Sequence, residues 1–310
     1  MNCYFYINID VKKNSYKEKW LNQLSTGIIK YSKKLKITND IEQADIIFTI
    51  KDFVDSINLK EKQILVILSC QDNEICDSRT INNKKIKYIF EHTKLSGNPI
   101  EIITIDDNVM KYLLKFDKKI TTEIYDNYDS KVIPILNTSF LYRRIYKEKI
   151  SLLKDRKYDI VFTGLTNYDD KMVSKHRLEI IDKIIEFANK YSYTYFVNES
   201  RINIKQYYEL LEQTKIFISP YGYGEFSLKD FECICFGCHV IKPKIYFEYY
   251  PNFCKNFDDF ELDLSNFDSQ VNFALRNIDT ITQTKVNNNR KLFEDYHPAN
   301  QIEFLDSLFS

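Results

Sequence analysis

The sequence predicts an α/β protein built from two Rossmann-like domains that face each other across a cleft. Three observations carry that reading. Short, continuously apolar runs alternate with helical stretches through both halves, the alternation loosens once near residue 150 and then restarts, and 310 residues leave room for two domains of about 150 residues each. Continuous apolar runs suit parallel strands covered on both faces, and strand–helix alternation implies βαβ units. A hydrophobic content of 44% and an aromatic content of 15% supply a core for both.

Taken in order, Tyr4–Ile9 reads as a first strand and Tyr16–Lys34 as a helix. Ala44–Ile50 and Gln63–Ser69 follow as strands, then the shorter Lys87–Phe90 and Ile102–Ile105, and a helical stretch over Asn108–Phe116. Between Tyr125 and Arg156 the pattern loosens, with Pro134 inside VIPILN. The second half opens with the strand Asp159–Thr163, ending at Gly164. The helix Lys175–Tyr191 follows, with Leu178, Ile181, Ile184, Ile185 and Ala188 at core-facing spacing. Tyr193–Val197 reads as a strand, Ile204–Gln213 as a helix, and Ile216–Ser219 and His239–Lys242 as strands on either side of a short helix. Tyr246–Phe253, an acidic stretch and two weaker helices complete the chain. The predicted domains are 1–150 and 151–290, with a C-terminal helix at 291–310 that packs back on the first. Such folds bind ligands in the crevice outside the carboxyl ends of their strands.

Composition narrows the partners. Lys plus Arg and Asp plus Glu balance at 44 each, which predicts no nucleic-acid partner. No apolar run reaches a membrane span, and the N-terminus reads as a buried strand rather than a signal peptide. Seven cysteines without a regular framework suit a reducing compartment, so a cytoplasmic location is expected, with peripheral recruitment to a membrane left open. Cys233, Cys235 and Cys238 lack the further ligands a zinc site needs and read as small core residues; no metal and no cofactor is expected.

The most informative stretch is Phe217–Pro243, FISPYGYGEFSLKDFECICFGCHVIKP. The whole chain has six glycines, and Gly222, Gly224 and Gly237 fall here. A strand runs into a glycine turn, Ser227 offers an N-cap, and a helix begins. A helix N-terminus with free amides favours phosphate. On that helix Leu228, Phe231, Ile234, Cys235 and Cys238 form the packed face, and Lys229 and Glu232 lie three apart on the other. On spacing alone these two read more simply as a surface ion pair than as ligand groups. No GxGxxG follows the first strand of either half, which disfavours an NAD-type oxidoreductase.

The same string resembles the nucleotide-binding segment of GT-B glycosyltransferases, in particular the exostosin-like and group-one-type enzymes. The resemblance runs through Ser219, Pro220, Gly222, Tyr223, Gly224, Glu225, Lys229, Asp230, Glu232, Gly237, Lys242 and Pro243, about thirty residues in all. It implies that Glu232 holds ribose hydroxyls and that Lys229 faces the diphosphate. It also implies that Tyr221 to Glu225, with Gly222 and Gly224, contact the donor. Lysine stands at 229 where arginine is the commoner family residue, so a bidentate phosphate grip is not implied. Gly164 and Thr166 resemble the loop that abuts the diphosphate, and Arg177 reads either as a second cation there or as a solvated helix residue. The implied reaction is metal-independent transfer of a hexosyl or pentosyl group from a UDP- or GDP-linked sugar to a hydroxyl of a glycan or related acceptor. A non-catalytic sugar-nucleotide or glycan-binding module of the same fold is the alternative. The candidate base is His92, after the strand KYIF, with Glu91 and Asp72 as carboxylate alternatives.

Overall fold

The computed structural model describes residues 1–6, 16–68, 83–91, 94–96, 132–134, 143, 145–169, 171–221, 227–245, 248–250 and 252–310. Its first sheet has six parallel strands in the order β2-β1-β3-β4-β5-β7. These are β1 (Asn2–Phe5), β2 (Lys36–Ile37), β3 (Ile46–Thr49), β4 (Ile64–Leu68), β5 (Ile86–Glu91) and β7 (Val132–Pro134), and helix α1 (Tyr16–Tyr31) follows β1. Side chains alternate faces along a strand, and the core divides accordingly. Ile46, Phe48, Val66, Leu68 and Phe90 lie in one buried cluster. Ile47, Leu65, Ile67 and Ile89 lie in another. Both faces of β3 and β4 are therefore covered, as their unbroken apolar sequences predict. The predicted strand 102–105 and helix 108–116 fall outside the described residues. Pro134 ends the edge strand β7, where a missing donor is tolerated.

The second sheet has five parallel strands in the order β13-β11-β10-β8-β9. They are β8 (Tyr158–Thr163), β9 (Tyr195–Asn198), β10 (Thr214–Ile218), β11 (His239–Pro243) and β13 (Asp258–Phe260). Helices α2 (Lys171–Tyr191), α3 (Ile204–Glu212) and α4 (Leu228–Phe236) alternate with them, and α5 (Phe267–Arg276), α6 (Gln283–Asp295) and α7 (Pro298–Leu308) close the chain. One face of the sheet packs on α2 and α5 through Ile180, Ile184, Phe187, Val271 and Ala274. The other packs on α3, α4 and α6 through Leu211, Phe231, Ile234 and Phe293. The face of α2 is rotated from the predicted one. Leu178 is 44% exposed, and His176, Arg177 and Ile180 turn inward in its place. The acidic stretch after Phe257, assigned to no element from sequence, supplies β13.

Two features join the halves. β6 (Lys94–Ser96) pairs antiparallel with β12 (Glu248–Tyr250). Helix α7 packs against α1, placing Ile302, Leu305 and Phe309 in the core beside Leu21, Leu24 and Ile28. Asp306 fixes the contact by accepting the Lys33 backbone N–H at 2.8 Å. Among the described residues no helix is long and apolar enough to cross a membrane.

Candidate functional site

Strand order in the second sheet marks the site. From β8 the chain continues to β9 on one side, while β10 lies on the other, so the winding reverses between β8 and β10. In open α/β sheets the crevice outside the carboxyl ends at such a reversal is where ligands bind. Gly164 sits there, directly after β8, at φ +155°, where L side chains are strained. Its N–H reaches Asn198 O at 3.0 Å, at the end of β9. A Cβ at this position would lie 2.8 Å from Lys229 Nζ and 3.1 Å from Arg177 Nη1. The missing side chain is the space into which two cations converge.

Each cation arrives from a different helix. Arg177, on α2, is 6% exposed, so the solvated-face reading is excluded. Its Nε donates to Tyr221 O at 3.0 Å and its Nη1 to Leu165 O at 2.6 Å, and its guanidinium lies over the Tyr168 ring at 4.7 Å. It thereby ties the loop after β8 to the segment after β10. Lys229, in the first turn of α4, donates to Thr163 O at the end of β8. Burial and the neighbouring Arg177 guanidinium bring its ammonium down to about 8. Glu232, one turn along, has its carboxyl pushed up to about 7 by burial, with Tyr207 and Lys229 acting against the rise. Two adjacent cations and a carboxyl driven toward neutrality form a cluster that an anion would stabilise.

Helix α4 is held for this purpose at both ends. Ser227 takes an extended backbone at the N-cap, and Asp230 Oδ2 accepts its N–H at 2.7 Å. The same carboxylate oxygen meets Lys242 Nζ of β11 at 2.6 Å, and both side chains are fully buried. Asp230 and Lys242, matched in the resemblance, thus anchor the helix to the sheet. At the other end Gly237 adopts φ +67°, and Cys238 N–H returns to Cys233 O at 2.8 Å in a Schellman-type close. Arg156 Nη2 reaches Phe236 O at 2.9 Å and Arg290 Nη1 reaches Cys235 O at 3.0 Å, placing cations at the negative end of the helix. Cys233, Cys235 and Cys238 are buried on the packed face and form no disulfide.

The other predicted site residues divide three ways. Thr166 lies on the exposed rim and donates to Glu199 Oε2 at 3.0 Å. Tyr221, expected among the donor-contacting residues, has a fully buried ring, its hydroxyl donates to Lys244 O, and its carbonyl accepts from Arg177 Nε at 3.0 Å. Gly222, Tyr223, Gly224, Glu225, His92 and Asp72 lie outside the described residues, and Glu91 is described only as the backbone end of β5. The remaining histidines are structural: His176 Nε2 pairs with Leu262 O, His297 Nδ1 accepts from Ala299 N–H, and His239 Nε2 meets Asp258 Oδ2 at 2.6 Å. Tyr207 of α3, which touches both Lys229 and Glu232, was not singled out from sequence. In a chain of 23 tyrosines it gives no local signal.

No protein-family model matches the chain, and no curated protein sequence does. Solved structures do. An alpha-glucosyltransferase in complex with UDP and a 13-mer DNA containing a HMU base is 11% identical, covers 99% of this chain and 98% of its own, and superposes with a TM-score of 0.51. The GtfA/B complex is 9% identical, covers 86% of this chain, and superposes with a TM-score of 0.50; this chain spans 57% of that one. The chain has the GT-B fold, two parallel-sheet α/β domains as in these proteins. The likeness is one of fold. One expectation is corrected: the balanced charge was read as excluding a nucleic-acid partner, yet the same fold, over nearly the whole chain, occurs in an enzyme solved with DNA. Net charge sums the entire surface, whereas binding a phosphate backbone requires only one basic face.

Proposed function

We propose that this protein is a glycosyltransferase that moves a sugar from a nucleotide diphosphate-sugar to an acceptor hydroxyl. The observation that carries the reading is the convergence of Arg177 and Lys229 over Gly164, at the carboxyl end of β8 and beside the first turn of α4. A diphosphate is an anion that these two cations would hold. Charge on the departing nucleotide grows as the glycosidic bond breaks, and fixed cations with a helix N-terminus stabilise it where it develops. Because protein cations hold that position, the reaction runs without a metal ion. Glu232, ionised, accepts two ribose hydroxyls. The donor is a UDP- or GDP-linked hexose or pentose, and UDP is favoured by the ligand in the structural neighbour that spans both domains. Gly222 to Glu225 complete the donor-sugar side, and the acceptor base comes from the first domain, with His92, Glu91 or Asp72 as candidates. The chain acts in the cytoplasm.

Calorimetric titration with UDP and GDP tests the donor site. Wild type binds one of them, and Glu232→Ala weakens that binding by about tenfold or more, the loss of charge-assisted hydrogen bonds, while the protein stays folded. Unchanged affinity in the folded variant would refute the site. Transfer is then read as free nucleotide released in the presence of EDTA, with one arm offering glycan acceptors and another offering duplex DNA carrying hydroxymethylated bases. Nucleotide binding with no release in any arm points to the non-catalytic module.

A further inference from the structure

A buried tyrosine of the neighbouring helix borders the donor cluster. Tyr207 lies on α3, whose N-cap is Asn203, and α3 packs against α4. It is 6% exposed. Its ring faces Lys229 Nζ at 5.9 Å, a cation–π arrangement. Its hydroxyl is sealed from water and interacts with the Glu232 carboxylate, yet makes no well-formed hydrogen bond to any described residue. Buried hydroxyls are nearly always hydrogen-bonded in folded proteins, and the Glu232 carboxylate is the acceptor beside this one. Tyr208 beside Tyr207 stacks on Phe236 of α4 with ring centroids 5.1 Å apart, so α3 and α4 cannot slide apart.

We propose that Tyr207 is the positioning residue of the donor site, its hydroxyl donating to Glu232 and its ring carrying Lys229, so that one side chain on α3 orients both ligand-facing groups of α4. The inference rests on the donor-site reading above and deepens it. Among the described residues, the titratable groups that face Glu232 are Tyr207 from α3 and Lys229, Asp230, Cys233 and Cys235 from its own helix, and Lys229 in turn faces Arg177 of α2. Asp230 is committed to Lys242 and the Ser227 N–H. Tyr207 is therefore the neutral donor able to hold Glu232 ionised as an acceptor of ligand hydroxyls. Hydrogen bonding to the charged form favours that form. Without the phenol, Glu232 takes up a proton at higher pH and stops accepting ligand hydroxyls there.

The test is UDP affinity between pH 5.5 and 8.5, measured by calorimetry on wild type, Tyr207→Phe, and the protein with 3-fluorotyrosine incorporated at position 207. Phenylalanine keeps the ring under Lys229 and removes the donor. The limb along which affinity falls toward acid should move up by about one pH unit, giving about tenfold weaker binding at pH 6 and recovery at pH 8.5. Fluorotyrosine is a stronger donor and should move the limb the opposite way. A uniform loss at every pH in the phenylalanine variant indicates a structural role and overturns the proposal, as does an unmoved limb. Should the phenylalanine variant fail to fold, the fluorotyrosine protein alone decides between a displaced and an unmoved limb. Absence of UDP and GDP binding in wild type itself overturns the donor-site reading and this proposal together; normal wild-type binding with unmoved limbs overturns only the role of Tyr207.

Discussion

Gly164→Ala tests the reading of the site with the fewest atoms. Residue 164 sits at φ +155°, a backbone conformation that costs a non-glycine residue about 1–3 kcal/mol. The added methyl would stand 2.8 Å from Lys229 Nζ and 3.1 Å from Arg177 Nη1. Both atoms end long, flexible side chains, so the overlap is relieved by swinging them aside rather than by moving backbone. The stability cost therefore stays near the backbone cost. The binding cost does not, because the two donors leave the spot where phosphate oxygens dock. A hydrogen bond to a charged group contributes about 1.5–3 kcal/mol, so displacing even one weakens binding by roughly 10- to 150-fold. UDP titration by calorimetry and a thermal melt followed by circular dichroism read the two costs separately. Gly237→Ala is the matched control: it too has positive φ, and its methyl would collide with Ile150 Cδ1, but it lies at the far end of α4. It should lose stability and keep nucleotide affinity. A folded Gly164→Ala protein that binds UDP like wild type would refute the reasoning.

Three further outcomes follow from the same geometry. UDP affinity should rise with pH as Glu232 ionises near 7 and fall again as Lys229 loses its proton near 8; Glu232→Gln should abolish the acid limb, and a flat calorimetric profile from pH 5.5 to 9.5 would count against the cluster. Lys242→Met strands the fully buried Asp230 carboxylate and should cost about 3–5 kcal/mol in urea denaturation, much of it recovered in Asp230→Asn/Lys242→Met; a single-variant loss below about 1 kcal/mol would show that the pair does not anchor α4. His239→Ala removes the buried partner of Asp258 at the amino-terminal edge of the second sheet, so the melting temperature should drop while UDP affinity holds; a matching loss of affinity would show that the two edges are coupled.

The central strands of both sheets were legible in the sequence because they are short apolar runs buried on both faces, a local signal that the edge strands β2, β7 and β13 do not carry. Helix α4 was legible for a related reason: Ser227 and Gly237 mark its ends, and the cysteines fall at core spacing. What could not be read was which charged residues turn inward. Arg177 stands in KHRLEII, where a 3.6-residue period allows either Leu178 or Arg177 at the packed face. The tie is broken by two carbonyls, Leu165 O and Tyr221 O, contributed from 12 and 44 residues away. Lys229 and Glu232 had the spacing of a surface pair, and what removes them from solvent is α3, whose contact with α4 no local pattern encodes. Likewise β13 was hidden because Asp258 is satisfied by His239 and Lys285 and so can be buried in an acidic stretch.

The charges of the second domain sort by the end of α4 they serve. At its carboxyl-terminal end Arg156 and Arg290 spend their donors on backbone carbonyls, and along its flank Lys242 is paired with Asp230. Each of these cations is matched within the protein, so it has little left to offer a ligand. At the amino-terminal end Arg177 and Lys229 also hold carbonyls, they lie close enough to repel each other, and Glu232 is itself driven toward neutrality. A helix already positive at that end by its dipole gains two further cations there. Such an arrangement disfavours the empty site electrostatically and is offset when an anion of two or more charges arrives. A nucleoside diphosphate meets that requirement, whereas a neutral sugar or a lone carboxylate does not. The donor domain should therefore discriminate first by phosphate charge, with UDP bound far more tightly than UMP, and uridine scarcely at all. Equal affinities for UDP and uridine in calorimetry would place the binding energy on the base and leave the two cations without a function.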